Sequence, residues 1–170
     1  MTVVLAAHDP GWRAKFETER RRLLEQVPAL TRLHHIGSTS IPGILAKPII
    51  DMLGEVEDLD LLEPYHAQFE TLGYEVMGAF GISERRYFRK TDNAGKRSHN
   101  LHVFETGSEH LRRHLAFRDY LRTHEDVARA YSDLKRSLLR MSTEAEAYMD
   151  GKDPFIQEVE TRALAWARNR

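Results

Sequence analysis

The sequence predicts a mixed α+β fold, with a mixed β-sheet flanked by helices and a helical segment at the C-terminal end. Two observations predict it: strand-like segments are concentrated in the first two-thirds of the chain, and helical periodicity precedes them and resumes after them. This order is typical of a sheet layered with helices. The 170 residues contain no low-complexity linker, internal repeat or break in composition, so one domain spanning 1–170 is expected.

Composition and charge narrow the classes of protein to consider. Hydrophobic residues make up 41% and charged residues 30% of the chain, which is typical of a soluble globular protein. The net charge of −1 provides no general attraction to nucleic acid or to an anionic membrane, so neither partner is expected. No apolar run approaches the roughly 20 residues that a membrane span requires. The absence of cysteine excludes disulfides and thiolate metal sites, and the lack of a basic start typical of a signal peptide favours a cytoplasmic location.

The first half of the chain predicts two helices around two strands. An Asp-Pro-Gly turn starts a helix over about 10–27, where apolar residues recur at helical spacing. Strands are predicted over about 31–36 and 48–56. A second helical pattern runs over about 59–72, and Gly73 supplies the left-handed residue that commonly closes a helix.

The middle of the chain predicts three short strands. The first lies near 74–77 and leads into a loop that contains glycine. The other two, at about 86–91 and 100–105, flank the sequence Asp92-Asn93-Ala94-Gly95. This sequence is typical of a hairpin turn, so the two strands are expected to pair.

The last third of the chain predicts helices. The helical pattern starts at Gly107 and continues to the end of the sequence. One break is predicted near His124. Another is predicted at Gly151–Pro154, because glycine and proline both disfavour the interior of a helix. We therefore expect a C-terminal segment of separate helices.

The most distinctive segment lies between the first two predicted strands. The chain leaves the first strand through four small residues, Gly37, Ser38, Thr39 and Ser40, and the second strand carries Asp51 among apolar residues. Glycine lets a backbone approach a ligand closely, and hydroxyls and backbone N–H groups are suitable donors to phosphate oxygens. A carboxylate in an apolar strand requires a partner or a cation. The segment therefore suggests a site for phosphate and a metal ion; the alternative is a turn rich in Ser and Thr that caps a short helix.

Several further blocks of sequence accompany this segment and together resemble the GrpB family, a branch of the nucleotidyltransferase superfamily. The matching blocks span nearly the whole chain and occur in the family's order; they are Asp9-Pro10-x-Trp12, the run from Gly37 to Asp51, Arg86 to Lys90, Leu101-His102-Val103, Phe117 to Arg122, Tyr131-x-x-Leu134-Lys135 and Tyr148-x-x-Gly151-Lys152. The resemblance implies a nucleotidyltransferase-like sheet. It also implies that Gly37, Ser38, Thr39 and Ser40 hold the triphosphate of a nucleotide and that Asp51 is a catalytic residue and a ligand of Mg²⁺.

The sequence departs from the superfamily pattern two residues after Asp51. The usual second carboxylate is replaced by Leu53, and the next acid on that strand face, Glu55, lies about 13 Å from Asp51 in a straight strand. Two short side chains cannot share one ion over that distance. A single Mg²⁺ held by Asp51, phosphate oxygens and water stays possible, whereas a two-metal mechanism lacks support.

His102 and Asn100 share one face of a predicted strand. The family tends to carry His at both positions, and here the first is Asn100. A neutral imidazole at His102 suits a general base, a metal ligand or a phosphate contact. A single histidine in a strand is also commonly a hydrogen-bonded structural residue, so both interpretations stay open.

Basic residues supply further candidate ligands for phosphate. Arg118 and Arg122 fall on the apolar stripe of a predicted helix, where a guanidinium requires an anion or an internal carboxylate partner. Lys47 precedes Asp51 by four residues and can pair with it or contact phosphate. Lys135 and Lys152 are compatible with a role at the site or with an ordinary surface position.

The leading functional hypothesis is a protein that binds a nucleoside triphosphate with Mg²⁺ and transfers a nucleotidyl group to an unknown acceptor. The alternative is a catalytically degenerate module that binds a nucleotide or a coenzyme, favoured by Leu53 and by the association of similar domains with dephospho-coenzyme A kinase. A third possibility is that the turn binds no ligand and has only a structural role. The first two hypotheses share one kind of partner, a small molecule that carries phosphate.

Overall fold

The computed structural model describes residues 2–170 and confirms a mixed α+β architecture. The helices are α1 (Gly11–Gln26), α2 (His66–Thr71), α3 (Glu109–Thr123), α4 (Glu125–Met141) and α5 (Ala145–Arg168). The strands are β1 (Arg32–Ile36), β2 (Ile50–Val56), β3 (Tyr74–Val76), β4 (Arg86–Thr91) and β5 (Arg97–Glu105). Two 3₁₀ helices, Ser38–Ser40 and Leu59–Tyr65, lie in the connections.

The strands form one five-stranded mixed sheet in the order β1-β2-β5-β4-β3. β2 and β5 are parallel neighbours, and the remaining pairs are antiparallel. In the β2–β5 register Asp51 lies opposite Asn100, and Leu53 lies opposite His102. Because side chains alternate along a strand, all four project from the same face of the sheet.

The two faces of the sheet are covered by different helices. Met52, Leu101 and Val103 belong to the larger core cluster, which also contains apolar residues of α1 and α2. On the opposite face Leu53 and Phe104 pack with residues of α3. The face that carries Asp51 is therefore the one that α3 covers, and α4 and α5 pack with α3 in a third cluster.

Several predicted boundaries differ from the structure. The predicted helix over 59–72 is divided into a 3₁₀ helix and α2, and Pro64, which has no N–H to donate, lies in the 3₁₀ part. The predicted break near His124 is confirmed, since α3 ends at Thr123 and α4 begins at Glu125. The predicted break at Gly151–Pro154 is wrong, because α5 runs through it and the chain breaks at 142–144 instead.

Close packing explains why the helix continues through Gly151. A Cβ atom at this position would lie 2.4 Å from Cδ2 of Leu138 on α4, so the absence of a side chain allows the two helices to approach. The packing gained by this contact outweighs the intrinsic preference of glycine against helices, which is about 1 kcal/mol. Over residues 2–170, no helix is both long and apolar enough to cross a membrane.

Candidate functional site

A cavity of about 250 Å³ lies between the Asp51 face of the sheet and the C-terminal helices. It is lined by the turn after β1, by β2 and β5, and by side chains of α3, α4 and α5. Its polar lining combines basic, acidic, amide and hydroxyl groups, namely Ser38, Thr39, Lys47, Asp51, Asn100, Arg118, Tyr131, Lys135, Tyr148 and Lys152. Ser38 and Asp51 therefore line the same cavity.

Gly37 allows the turn after β1 to approach Asp51. Its φ angle is 73°, in the region that favours glycine. A Cβ atom at this position would lie 2.6 Å from Oδ2 of Asp51, which is too short for a nonbonded contact. Both the backbone conformation and the space therefore require glycine here.

The three hydroxyls of the turn have different surroundings. The Thr39 hydroxyl donates to the carbonyl of Ile49 and contacts Nε2 of His35, and the Ser40 hydroxyl donates to the carbonyl of Gly37 at 2.6 Å. Thr39 and Ser40 are both buried, and Ser40 does not line the cavity. Nearby protein groups therefore satisfy the hydroxyls of Thr39 and Ser40. Ser38 is the one whose hydroxyl contacts the cationic side of the cavity, through Lys135.

Asp51 is held by the neighbouring strand. Nδ2 of Asn100 donates to Oδ1 of Asp51 at 3.1 Å, and the hydroxyl of Tyr87 donates to Oδ1 of Asn100 at 2.7 Å. Because the amide oxygen of Asn100 accepts from Tyr87, its NH₂ group is directed at Asp51. Burial raises the pKa of Asp51, although this hydrogen bond and the charges of Lys47 and Lys152 act in the opposite direction.

Two buried lysines enter the cavity from α4 and α5. Lys135 is 1% exposed and Lys152 is 9% exposed, which is rare for lysine. Burial lowers the pKa of Lys135 to about 7, and the charges of Lys152 and Lys47 contribute to the shift. Burial, together with Lys47, lowers the pKa of Lys152 to about 8. Both ammonium groups are therefore held in a low-dielectric site that lacks a full set of anionic partners.

Aromatic rings support the lysine stems and ammonium groups. Nζ of Lys135 lies 4.5 Å from the ring centre of Tyr131, and Nζ of Lys152 lies 4.7 Å from that of Tyr148. Nζ of Lys47 lies 6.0 Å from the Tyr148 ring. Each pair falls within the range of a cation–π interaction. The rings therefore replace part of the hydration that the lysines lose.

Of the two predicted arginines, Arg118 and Arg122, one lines the cavity. Arg118 lines the cavity, and it also pairs with Asp119 at 2.8 Å and donates to the carbonyl of His35, so the internal partner considered from the sequence is present. Nε of Arg122 donates to the carbonyl of Ser40 at 2.9 Å, and Arg122 does not line this cavity. It borders a second cavity, on the side of the turn that faces α1. The structure therefore does not bring both arginines to Asp51.

His102 lies on the same sheet face as Asp51, but it does not line the cavity. Its ring stacks with Tyr87 and His114, and its Nδ1 is 3.3 Å from NH1 of Arg85. Burial and the charge of Arg85 lower the pKa of His102 to about 4. These contacts hold the ring beside the site, and the lowered pKa keeps it neutral near pH 7.

The residues around Asp51 do not form a protein ligand set for a resident Mg²⁺. Within residues 2–170, no group of three or more His, Cys, Asp and Glu side chains could hold a metal ion. Leu53 fills the position of a second carboxylate and is fully buried. The Asn100 amide presents NH₂ rather than oxygen to Asp51, and three lysines share the cavity. Magnesium prefers oxygen ligands, so this donor set suits an anion better than a cation.

Sequence reasoning identified the turn and Asp51 but left Lys135 and Lys152 undecided. One signal was available: each lysine follows a tyrosine by four residues, Tyr131 and Tyr148, and therefore shares its helix face. The orientation of those faces toward the turn depends on how the helices pack. The role of Asn100 as the partner of Asp51 follows from the β2–β5 register, which a single sequence does not show.

Comparison with known proteins places the chain among close relatives. A family model described as GrpB protein matches residues 2–162. The UPF0157 protein YqkA of Bacillus subtilis is 41% identical over 170 residues, which are 99% of this chain and 49% of that protein. The UPF0157 protein SCO7215 of Streptomyces coelicolor is 32% identical, over 99% of this chain and 88% of that protein. The chain therefore spans about half the length of YqkA and most of SCO7215.

A more distant relative has a named activity of its own. The dephospho-CoA kinase of Mycobacterium leprae is 26% identical over 193 residues, covering 96% of this chain and 47% of that protein.

Two solved structures share the fold, one with clear sequence similarity to this chain and one without it. The crystal structure of the conserved protein GrpB from Enterococcus faecalis has a TM-score of 0.90 and 38% identity, covering 96% of this chain and 99% of that chain. A structure of the Cid1 poly(U) polymerase with MgGTP bound has a TM-score of 0.50 and 14% identity, covering 76% of this chain and 45% of that chain. The second likeness concerns the fold alone, and it confirms the nucleotidyltransferase-like sheet that the sequence predicts.

Proposed function

Since this chain belongs to the GrpB family, we propose that its cavity binds the phosphate groups of a nucleotide or a coenzyme-like small molecule, with lysines rather than a resident metal ion neutralising the charge. The observation that carries the proposal is the balance of charge at the cavity. Lys47, Lys135, Lys152 and Arg118 line it, and Asp51 is the one acid among the lining residues of the described chain.

Electrostatics favours an anionic ligand in this site. A phosphate about 4 Å from an ammonium group gains about 4 kcal/mol at an effective dielectric constant of about 20. Lys152, whose pKa is lowered only to about 8, is mostly protonated at neutral pH and can receive the anion without taking up a further proton. A phosphate would also relieve the repulsion among the lysines, which contributes to their lowered pKa values. The site is therefore better completed by an anion than by a cation.

The names of similar proteins support a nucleotide or coenzyme as the source of the phosphate. The Cid1 structure holds MgGTP, and the mycobacterial relative is a dephospho-CoA kinase. Both names describe proteins that handle nucleotide-containing molecules. ATP and dephospho-coenzyme A are therefore suitable probes for this chain.

Calorimetric titration of ATP and dephospho-coenzyme A in the presence of EDTA tests the proposal. Lys152→Met is expected to weaken binding at least tenfold, because one desolvated charge contact is lost. Lys96→Met, at an exposed lysine outside the cavity, serves as the matched control and should bind as the wild type does. Absence of binding to both probes, in protein shown to be folded, would contradict the proposal.

Metal-dependent nucleotidyl transfer is the second candidate, and the position of Asp51 beside the Gly37–Ser38 turn favours it. The two candidates predict effects of Asp51→Asn in two different assays. If the cavity only binds, removing the negative charge should strengthen ATP binding in EDTA. If the protein transfers a nucleotidyl group, Asp51→Asn should abolish pyrophosphate release from ATP with Mg²⁺ while the fold persists. Unchanged release would exclude a catalytic Asp51.

A further inference from the structure

Ser38 and Lys135 make a direct contact that phosphate binding alone does not require. Nζ of Lys135 lies 2.8 Å from Oγ of Ser38, within hydrogen-bond distance. Lys135 also donates to the carbonyl of Leu45, and it has no carboxylate partner in the part of the chain that the structure describes. A serine hydroxyl beside a buried lysine amine is the arrangement of a nucleophile next to its base.

We propose that Ser38 is a nucleophile and Lys135 its general base, and that the pair attacks the phosphorus of a phosphoanhydride bound in the cavity to form a covalent serine phosphoester. This inference rests on the proposed binding of phosphate in the same cavity. It adds a covalent step that uses no carboxylate and no metal ion.

Ser38 is held in position by its own turn. Gly37 precedes it with a φ angle of 73°, and the 3₁₀ turn is closed by the amide of Ser40 donating to the carbonyl of Gly37 at 3.0 Å. The amide of Ile41 then donates to the carbonyl of Ser38 at 3.1 Å. The hydroxyl of Ser38 therefore approaches the cavity from a fixed backbone, which keeps the nucleophile close to a bound ligand.

Lys135 can accept a proton at neutral pH. Burial lowers the pKa of Lys135 to about 7, with contributions from neighbouring cations, so a large fraction is the free amine near neutrality. Other titratable groups border the cavity from each surrounding element; they are Lys47, Asp51, Arg118, Tyr131, Tyr148 and Lys152. Burial raises the pKa of Tyr131 to about 12, and although its hydrogen bond with Ser38 acts in the opposite direction, Tyr131 stays protonated near neutral pH. Lys135 is thus the group beside Ser38 that is suited to take its proton.

The step balances without a further reagent. The proton of the Ser38 hydroxyl passes to Nζ of Lys135 as the bond from Oγ to phosphorus forms. The bond from phosphorus to the bridging oxygen of the anhydride breaks, and the departing phosphate or diphosphate carries the electron pair. Lys152 and Lys47 are placed to neutralise the charge that develops on the phosphoryl oxygens and the leaving group.

A fluorophosphonate probe tests the nucleophile without relying on nucleotide binding. Intact mass measurement and peptide mapping of the wild type should find one adduct, on Ser38, and its rate of formation should rise as the pH increases through about 7, the pKa of Lys135. Ser38→Ala should abolish the adduct. Ser137→Ala, at an exposed serine two residues after Lys135 on α4, should leave the labelling rate unchanged.

A second pair of variants tests whether Lys135 acts as a general base or only supplies a positive charge. Lys135→Arg keeps a cation at the position but cannot accept the proton at neutral pH, so labelling should fall at least 100-fold and its pH profile near 7 should disappear. Lys96→Met controls for loss of a lysine elsewhere. The thermal unfolding temperature of each variant establishes that the protein is folded.

The outcomes distinguish the two proposals. ATP binding without any Ser38 adduct in the wild type would overturn the nucleophile and leave the phosphate site standing. A Ser38 adduct without binding of ATP or dephospho-coenzyme A would support the nucleophile and contradict the proposed ligand class. An adduct that forms equally fast in Lys135→Arg would overturn the role of Lys135 as the base. Incubation with ATP in EDTA should leave a phosphoryl or adenylyl adduct on Ser38, and the mass shows which bond broke.

Discussion

Two features of the structure require glycine at position 37, its backbone conformation and its close contact with Asp51, and alanine substitutions can measure their cost. Its φ angle of 73° disfavours any residue with a Cβ atom, and that atom would also lie 2.6 Å from Oδ2 of Asp51. Gly95, in the β4–β5 hairpin, has a similar φ of 79° but nothing within 4 Å of its Cβ position. The pair therefore compares a positive φ beside a close contact with a positive φ in open space.

Gly37→Ala should lower the free energy of unfolding more than Gly95→Ala does. A positive φ costs alanine about 1 kcal/mol or more relative to glycine at both sites. The ψ of −177° at Gly37 adds to this cost, because almost only glycine adopts that conformation, and the contact with Asp51 should add about 1–2 kcal/mol at Gly37 alone. Urea denaturation measures the difference, and titration of ATP should show at least tenfold weaker binding for Gly37→Ala only. Equal losses of stability would show that Asp51 and the turn are not in tight contact.

At the scale of residues, the sequence predicts those features that are local. The turn and Asp51 adjoin two predicted strands, so the chain itself brings them together. Lys135 and Lys152 lie about 100 residues downstream of the turn, and their burial depends on helices whose packing the sequence pattern does not show. The hydroxyls of Thr39 and Ser40 are satisfied by acceptors that only the folded turn provides.

At the scale of elements, α4 and α5 hold the two lysines through a close helix contact at Gly151. A Cβ atom there would approach Cδ2, Cδ1 and Cγ of Leu138 at 2.4, 3.0 and 3.2 Å. Because several atoms of Leu138 are involved, rotation of one methyl group does not relieve the overlap. Lys152 follows Gly151 directly, so a displaced α5 would also move an ammonium group of the cavity.

Gly151→Ala should destabilise the protein by up to about 2 kcal/mol, because overpacking costs about 1–3 kcal/mol and the helix propensity gained returns about 1 kcal/mol. Leu138→Ala should destabilise on its own through lost packing. In the double variant the overlap is absent, so its loss should be smaller than the sum of the two single losses. Denaturant unfolding of all four proteins provides the coupling energy, and additive losses would contradict the contact.

The same comparison shows which elements a sequence can predict. Short strand-like segments between turn residues predict the strands, and the predicted break near His124 is confirmed. The continuous α5 is not predicted, because the pattern at Gly151–Pro154 carries only local propensity, and the contact with Leu138 overrides it. The parallel pairing of β2 with β5, which places Asn100 beside Asp51, joins segments far apart in the chain.

At the scale of the whole molecule, buried neutral histidines make the fold sensitive to acid. Burial, with nearby arginine charges, lowers the pKa of His35 and of His102 to about 4 and that of His114 to about 3. In the unfolded chain a histidine titrates near 6.5. Between these values the unfolded state binds protons that the folded state does not, so stability falls as the pH decreases from about 6.5 toward 4.

His114→Gln should reduce the dependence of the unfolding free energy on pH. Each histidine with a lowered pKa contributes at most one proton, or about 1.4 kcal/mol per pH unit, to the slope of the unfolding free energy against pH. Glu19, whose pKa is lowered by its hydrogen bonds to Tyr74 and Lys90 although burial opposes the shift, adds a loss only below its ordinary value of 4.5. In denaturant unfolding between pH 6.5 and 4.5, the difference in slope between the wild type and His114→Gln therefore reports His114, because Asp51, whose pKa burial raises, contributes to both proteins alike. His66→Gln, at an exposed position on α2, should keep the wild-type slope. A slope that His114→Gln leaves unchanged would show that His114 is protonated in the folded protein, and the stacked ring beside His102 would then carry a charge.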